Sequence, residues 1–349
     1  MKKRLLFVFI CLSLATPGIS QSDVADWLKF GKDDAGKLIE AYVNPYANAL
    51  GIGLNNSWYN TAETHKILGF DLAFTISAVQ IPKSDQTFDV NSLNLTNARV
   101  ATGYSNIAAT AAGNEKGGTQ LDIYSNDTKI SSFKTPGGSE LDLVPIPMIQ
   151  LGVGILPHTE LIGRYVPTIK FDVDDDRAKI GLVGVGLKHN FKEWIPVVKH
   201  LPFDASVFAG YTQIDGESGL TFSYENYGLP NPIGYVPDEN QRADVKTKAM
   251  KYGLILSKKV AVLTFFAGVS HNTSKSTIDL LGKYPVFTIN NLGIPEYAEE
   301  DHPIALKFKN SSLAADAGFR LKLAFFSLFG SVNFSEYTSY NAGLSFGFR

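Results

Sequence analysis

From Ser339 to Arg349 the even positions are Tyr340, Ala342, Leu344, Phe346 and Phe348, and the odd positions are Ser339, Asn341, Gly343, Ser345, Gly347 and Arg349. Side chains alternate across a strand, so this segment predicts one apolar, aromatic face and one small, polar face. The same two-residue period recurs upstream. Leu68, Phe70, Leu72, Phe74 and Ile76 oppose Gly69, Asp71, Thr75 and Ser77. Met250, Tyr252, Leu254 and Leu256 oppose Lys251, Gly253 and Ser257. Leu313, Ala315, Ala317, Phe319 and Leu321 oppose Ser312, Asp316, Arg320 and Lys322, and Phe326, Leu328, Val332 and Phe334 oppose Ser327, Ser331 and Asn333. Within 160–171, Arg164 and Lys170 share a face and Pro167 interrupts the other; 179–190 and 260–271 are more apolar on both faces.

A soluble β-sandwich alternates as well. Two features favour a barrel in a membrane. The strands reach roughly ten residues or more, the length of a tilted membrane strand rather than the five or six usual in globular sheets. The connections also alternate. Pro157–Glu160, Ser257–Lys259 and Leu323–Phe325 leave room only for tight turns, whereas 82–141, 215–244 and 274–306 are long, polar and rich in Gly, Asn and Pro. Short turns on the periplasmic side and long loops outside are how outer-membrane barrels are built. Ten strands from Leu68 onward satisfy this alternation. Hairpins inside the long loops, or a strand at 50–60, would add to them. The expected fold is all-β: a transmembrane antiparallel β-barrel of about 12 strands, with roughly 10 to 14 allowed.

The segment ahead of the barrel has a different period. Asp33 is placed to cap a helix over Asp34–Val43, with Leu38, Tyr42 and Val43 on one stripe and Pro45 stopping it. Residues 21–49 are therefore read as a short helical segment and 50–349 as the barrel. The apolar stripe suits a plug inside the lumen, held by those three residues; a helix lying at the periplasmic rim is the alternative.

Residues 1–20 have the anatomy of a cleaved secretory signal. Lys2, Lys3 and Arg4 precede the uncharged run Leu5–Leu14, and Gly18 and Ser20 put small residues at −3 and −1 of a cut before Gln21. The only cysteine, Cys11, lies in that segment, so the mature chain has no disulfide and no thiolate metal site. With 32 basic and 34 acidic residues there is no cationic excess for nucleic acid. Outer-membrane lipid and the barrel-assembly machinery are the expected partners.

Candidate chemistry is sparse. Asp172, Asp174, Asp175 and Asp176 share a turn but lack the Gly and later Glu of a calcium loop, so no metal site is assigned. His271 and Asn272 lie near Ser270 and Ser274, but neighbouring residues on a strand point to opposite faces. No catalytic residue is assigned, no cofactor is expected and the chain is not expected to be an enzyme. Asp71, Arg164, Lys170, Lys251, Asp316, Arg320 and Lys322 fall on the predicted lumen faces, where they would cross-pair to stiffen the barrel or set the selectivity of a channel.

The C-terminal run, with Asn341, Gly343, Phe346 and Phe348, resembles the assembly signal of outer-membrane barrels, departing from it in ending on Arg349. Gly184-Val-Gly-Leu-Lys-His-Asn-Phe-Lys-Glu-Trp-Ile-Pro and Leu54-Asn-Asn-Ser-Trp-Tyr-Asn-Thr-Ala resemble an uncharacterised bacterial family of outer-membrane barrels classed as a domain of unknown function. That resemblance covers most of the chain and implies no activity. A helix followed by a barrel is also similar in arrangement to FadL-type transporters of hydrophobic compounds, but no residue motif carries binding residues across. The leading expectation is a passive or gated channel for a small, hydrophobic molecule. A structural or assembly partner in the envelope and a lipid-modifying enzyme are the alternatives.

Overall fold

In the computed structural model residues 27–28, 30–125, 127–173, 176–227, 231–289 and 295–348 are described; the predicted signal segment lies outside them. Ten strands close into one antiparallel barrel. They are β1 (Phe70–Gln80), β2 (Leu143–Leu156), β3 (Thr159–Val173), β4 (Asp176–Asn190), β5 (Asp204–Gly219), β6 (Arg242–Val260), β7 (Leu263–Leu281), β8 (Ile304–Leu323), β9 (Phe326–Phe334) and β10 (Ser339–Phe348). Closure comes through β1. It pairs with β2 on one side and with β10 on the other, from Phe70↔Phe348 to Val79↔Ser339.

The count is ten, not about 12. Hairpins do form in the long loops, pairing 283–289 with 295–301 and 120–125 with 128–134, but they stand apart from the barrel sheet. Residues 50–60 are not a strand either, because a helix runs through to Leu54. Two of the predicted loops, 215–244 and 274–306, are also too long, whereas 82–141 matches closely. Barrel strands are joined by 81–142, 220–241 and 282–303, since β6, β7 and β8 have 19, 19 and 20 residues and rise well above the apolar band. In that upper wall Lys246 and Lys248 are exposed while Thr247 and Ala249 are buried. Polarity on the outer face there reads as loop in the sequence although the backbone is still paired.

Within the band the predicted faces hold. Phe74, Leu151, Val185, Leu254, Phe319 and Phe346 point outward, and Ser77, Gln150, Thr212, Lys251, Arg320 and Ser345 point inward.

Helix α1 spans Lys32–Leu54, 23 residues, or about 34 Å at 1.5 Å per residue. It is longer at both ends than the Asp34–Val43 expectation. Its N-cap is Gly31, at φ 79°, with no side-chain cap. Asp33 is exposed, and Asp34 instead accepts hydrogen bonds from the backbone N–H groups of Thr96, Asn97 and Ala98 at 2.7, 2.7 and 3.1 Å. Pro45 lies inside the helix. A proline forfeits one i→i−4 bond, but enclosure by the surrounding structure keeps the helix going, as tertiary packing commonly overrides local preference. The boundary drawn at 49/50 thus falls within α1.

The helix runs down the barrel from its long-loop end. Trp27, Leu28, Phe30, Leu38 and Tyr42 share a core with Val90, Ala98, Ala108 and Leu121 of the 81–142 cap and with Leu280 and Leu306 at the outer ends of β7 and β8. Lower down, Ala49, Ile52 and Leu54 pack against Val79, Ile146, Leu182 and Ile214 of the wall. Residues 55–66 continue to the opposite rim, where Leu68 N–H donates to Gly154 O at 2.8 Å and β1 turns back up.

With short turns facing the periplasm, this path puts the start of α1 on the cell surface. Beyond Cys11 in the predicted signal segment the chain has no cysteine, which makes the topology measurable. Asp33→Cys should react with a membrane-impermeant maleimide on intact cells, and Ile67→Cys only after the outer membrane is permeabilised. The reverse pattern would mean that the barrel is inserted the other way up.

Candidate functional site

The lumen is the site, and it is full. Small residues let α1 lie against the wall. A Cβ added to Gly51 would fall on the side chain of Ser274, and one added to Gly53 would fall on Ile146 Cδ1 and press on Val79. Below α1 the seat changes from apolar to polar, as residues 55–66 meet four buried cations of the wall.

Arg164 is 1% exposed. It donates to Leu54 O at 2.8 Å, Asn56 O at 2.6 Å, Gln150 Oε1 at 3.2 Å and Thr212 Oγ1 at 3.3 Å. Its guanidinium carbon lies 3.5 Å from the centroid of the Trp58 ring. Lys251 pairs with Asp316 at 3.3 Å, and Tyr59 Oη donates to the same carboxylate at 2.7 Å. Arg320 donates to Asp71 at 2.9 Å, to Asn60 Oδ1 at 3.1 Å and to Ser327 Oγ, and Ser345 donates to Asp71 from the other side. Glu160 takes Lys188 at 3.3 Å and His65 Nδ1 at 2.7 Å. Each wall node is completed by a plug residue, so the inner surface and residues 55–66 form one network. It is incompletely satisfied: Asn55 Oδ1, Asn56 Oδ1 and Trp58 Nε1 on the plug, and Thr75 Oγ1 and Asn272 Nδ2 on the wall, are buried without a protein hydrogen-bond partner.

Of the seven predicted lumen charges, Asp71, Arg164, Lys251, Asp316 and Arg320 face inward and are brought together. Two do not join them. Lys170 is exposed: β3 loses register with β4 between Val166 and Ile169, around Pro167, and the two-residue period does not carry past that irregularity. Lys322 is only half-buried, at the periplasmic rim, where its backbone N–H closes the turn to Val262 O. Leu38, Tyr42 and Val43 are buried, but in the core they share with the cap and the outer ends of β7 and β8 rather than against the membrane-spanning wall.

The assembly-signal residues lie along the closing strand. Phe346 and Phe348 point outward, their rings 5.3 Å from Phe326 and 6.2 Å from Phe70. Gly343 makes a notch for the Phe329 ring, and Asn341 bonds Ser331 and the plug residue Ser57. Glu160, Lys188, His65, Asn60, Tyr59 and Trp58 escape the sequence reading. Glu160 and Lys188 could have been found, since Leu161 and Leu187 beside them face out.

His271 lies 5.3 Å from the Tyr252 ring and 3.2 Å from Ser311 Oγ on the outer face, while Ser270 bonds Asn272 on the inner one. No hydrolase-like set converges there. The side chains of the acidic turn at Asp172, Asp174, Asp175 and Asp176 lie outside the described residues. Among those described, no three metal-ligating side chains cluster.

No curated protein matches the chain at a significant level. Among solved structures it is similar to Ail, the attachment invasion locus protein of Yersinia pestis (9% identity, 81% of this chain and 100% of that one, TM-score 0.25). It is likewise similar to the translocator domain of autotransporter NalP from Neisseria meningitidis (10%, 82% and 90%, 0.30) and to the outer membrane transporter YddB from Escherichia coli (11%, 78% and 40%, 0.30). At these scores none of them supplies a functional residue. The sequence profile of the DUF6588 family, a family of unknown function, matches residues 1–348, and the chain, a ten-stranded β-barrel, belongs to that family.

Proposed function

We propose that this protein is a gated rather than a passive outer-membrane channel for a small molecule, with residues 55–66 and the lower half of α1 as its gate. The observation that carries the reading is the polar, incompletely satisfied seat of that gate. Wall hydroxyls that would be wet in an open pore are buried at every level: Ser345, Ser327 and Ser206 low down, Thr212 in the middle, and Thr247 and Ser276 above. An open porin would expose them. A segment seated through hydrogen bonds and incompletely satisfied polar atoms can exchange them for water, because the net worth of each such bond is only about 1 kcal/mol. A purely structural role is the second reading, favoured by the shared core that locks the upper half of α1 to the 81–142 cap.

Two changes in the full-length chain separate them. Gly53→Val forces an isopropyl group into Ile146 and Val79, and should raise the open probability in a planar bilayer. Thr61 Oγ1 and Ser257 Oγ are 3.2 Å apart, so Thr61→Cys with Ser257→Cys should form a disulfide after a shift of about 1 Å. Oxidation should then abolish openings and reduction restore them. Silence from wild type, Gly53→Val and the reduced double-cysteine protein alike would leave only the structural role.

A further inference from the structure

Three of the four buried wall cations have a carboxylate partner on the wall itself: Lys188 with Glu160, Lys251 with Asp316 and Arg320 with Asp71. The first joins neighbouring strands β3 and β4, the second reaches over β7 and the third over β9 and β10, and none of them depends on the plug. Arg164 is different. Among the described residues it forms no ion pair, and what stabilises its charge is largely lent by the plug: the carbonyls of Leu54 and Asn56, where a short chain turn offers two acceptors, and the face of Trp58. The wall contributes only the neutral Gln150 and Thr212.

Resting on the gated reading above, we infer that the open barrel selects small anions, with Arg164 as the residue that sets the preference. When the plug withdraws, the three wall pairs cancel and Arg164 keeps its charge but loses two acceptors and its stacked ring. A guanidinium in a narrow lumen with two donors freed takes an acceptor from the passing solute. Its planar fork fits a carboxylate or another oxyanion in two-point contact, which a lysine at the same place does not offer. While the gate is seated, the plug's carbonyls occupy the position that such an anion would take.

The test is the reversal potential of openings of the full-length Gly53→Val protein under a potassium chloride gradient, repeated with sodium acetate. Chloride and acetate should each be preferred over the cation. Adding Arg164→Gln should cut the anion-to-cation permeability ratio about fivefold, the factor that roughly 1 kcal/mol makes for unit charges 4 Å apart in water. Arg164→Lys should keep the chloride preference and lose part of the acetate preference. A cation-selective Gly53→Val channel, or an unchanged ratio on Arg164→Gln, would overturn the inference while leaving the gate intact. No current from Gly53→Val removes the open state and both readings with it, a failure seen in the conductance and not in the reversal potential.

Discussion

Arg320→Ala should destabilise the refolded barrel by about 3–5 kcal/mol, the usual cost of stripping one partner from a buried pair, whereas Asp71→Leu combined with Arg320→Met should cost far less. Arg320 is 3% exposed and Asp71 8%, so solvent screens little of their interaction. Truncating the arginine leaves the buried Asp71 carboxylate with only the Ser345 hydroxyl, and leaves Asn60 Oδ1 without its donor. The paired apolar replacement removes both charges, so neither desolvation penalty remains, although Asn60 still loses a bond. Urea titration in lipid vesicles, followed by the fluorescence of Trp27, Trp58 and Trp194, reads both variants. Equal losses would show that water, and not the pairing, satisfies these groups. Because Asn60 belongs to the plug, Arg320→Ala should also lengthen channel openings, an effect that a purely structural pair far from the gate would lack.

The barrel was legible in the sequence because a membrane strand is a physical dipole of composition: lipid demands apolar side chains on one face at every second residue. Phe70 to Ile76, Met250 to Leu256 and Tyr340 to Phe348 obey that demand without exception. Where lipid stops, so does the signal. Above the band the outer face of β6, β7 and β8 is polar too, and Asp244, Lys246 and Lys275 read as loop although their backbones are paired in strands of 19 and 20 residues. The plug was half legible for a related reason. Leu38, Tyr42 and Val43 form a stripe because they meet an apolar core, but residues 55–66 are mostly Asn, Ser, Thr and aromatics, with Ala62, Glu63 and Lys66 among them, a composition that suits a loop equally well. Their role is imposed from across the lumen, by Arg164, Lys251 and Arg320, which lie over 100 positions away along the chain. Periodicity placed those three on the inner face and gave no means of learning that it is packed. An inner face of Gly, Ser and scattered charge looks wet until something is known to fill it.

That difference alters what Lys251 should tolerate. On a wet lumen wall, Lys251→Glu would be mild and Leu254→Arg severe. In the filled barrel both should be severe, for separable reasons. Leu254 points outward, 48% exposed in the middle of the apolar band, and a cation there should cost about 2–4 kcal/mol, the range for arginine near the bilayer midplane. Lys251 is 2% exposed and holds Asp316, which also accepts from Tyr59. Reversing it sets two carboxylates against each other and leaves Asp316 without its ion-pair partner, a loss of at least the roughly 3–5 kcal/mol expected for breaking a buried pair. The two defects should respond to different remedies. Asp316→Lys restores opposite charges across the same gap, so Lys251→Glu with Asp316→Lys should recover much of the stability, whereas adding Asp316→Lys to Leu254→Arg sets two cations together and should deepen the loss. A thinner bilayer should relieve Leu254→Arg, because the guanidinium then reaches the headgroups more easily, and should leave Lys251→Glu unchanged. Urea titrations of the two single variants and both combinations, in vesicles of two chain lengths, give all of these comparisons. Relief of Lys251→Glu by the thinner bilayer would place Lys251 on the lipid face and reverse the register of β6.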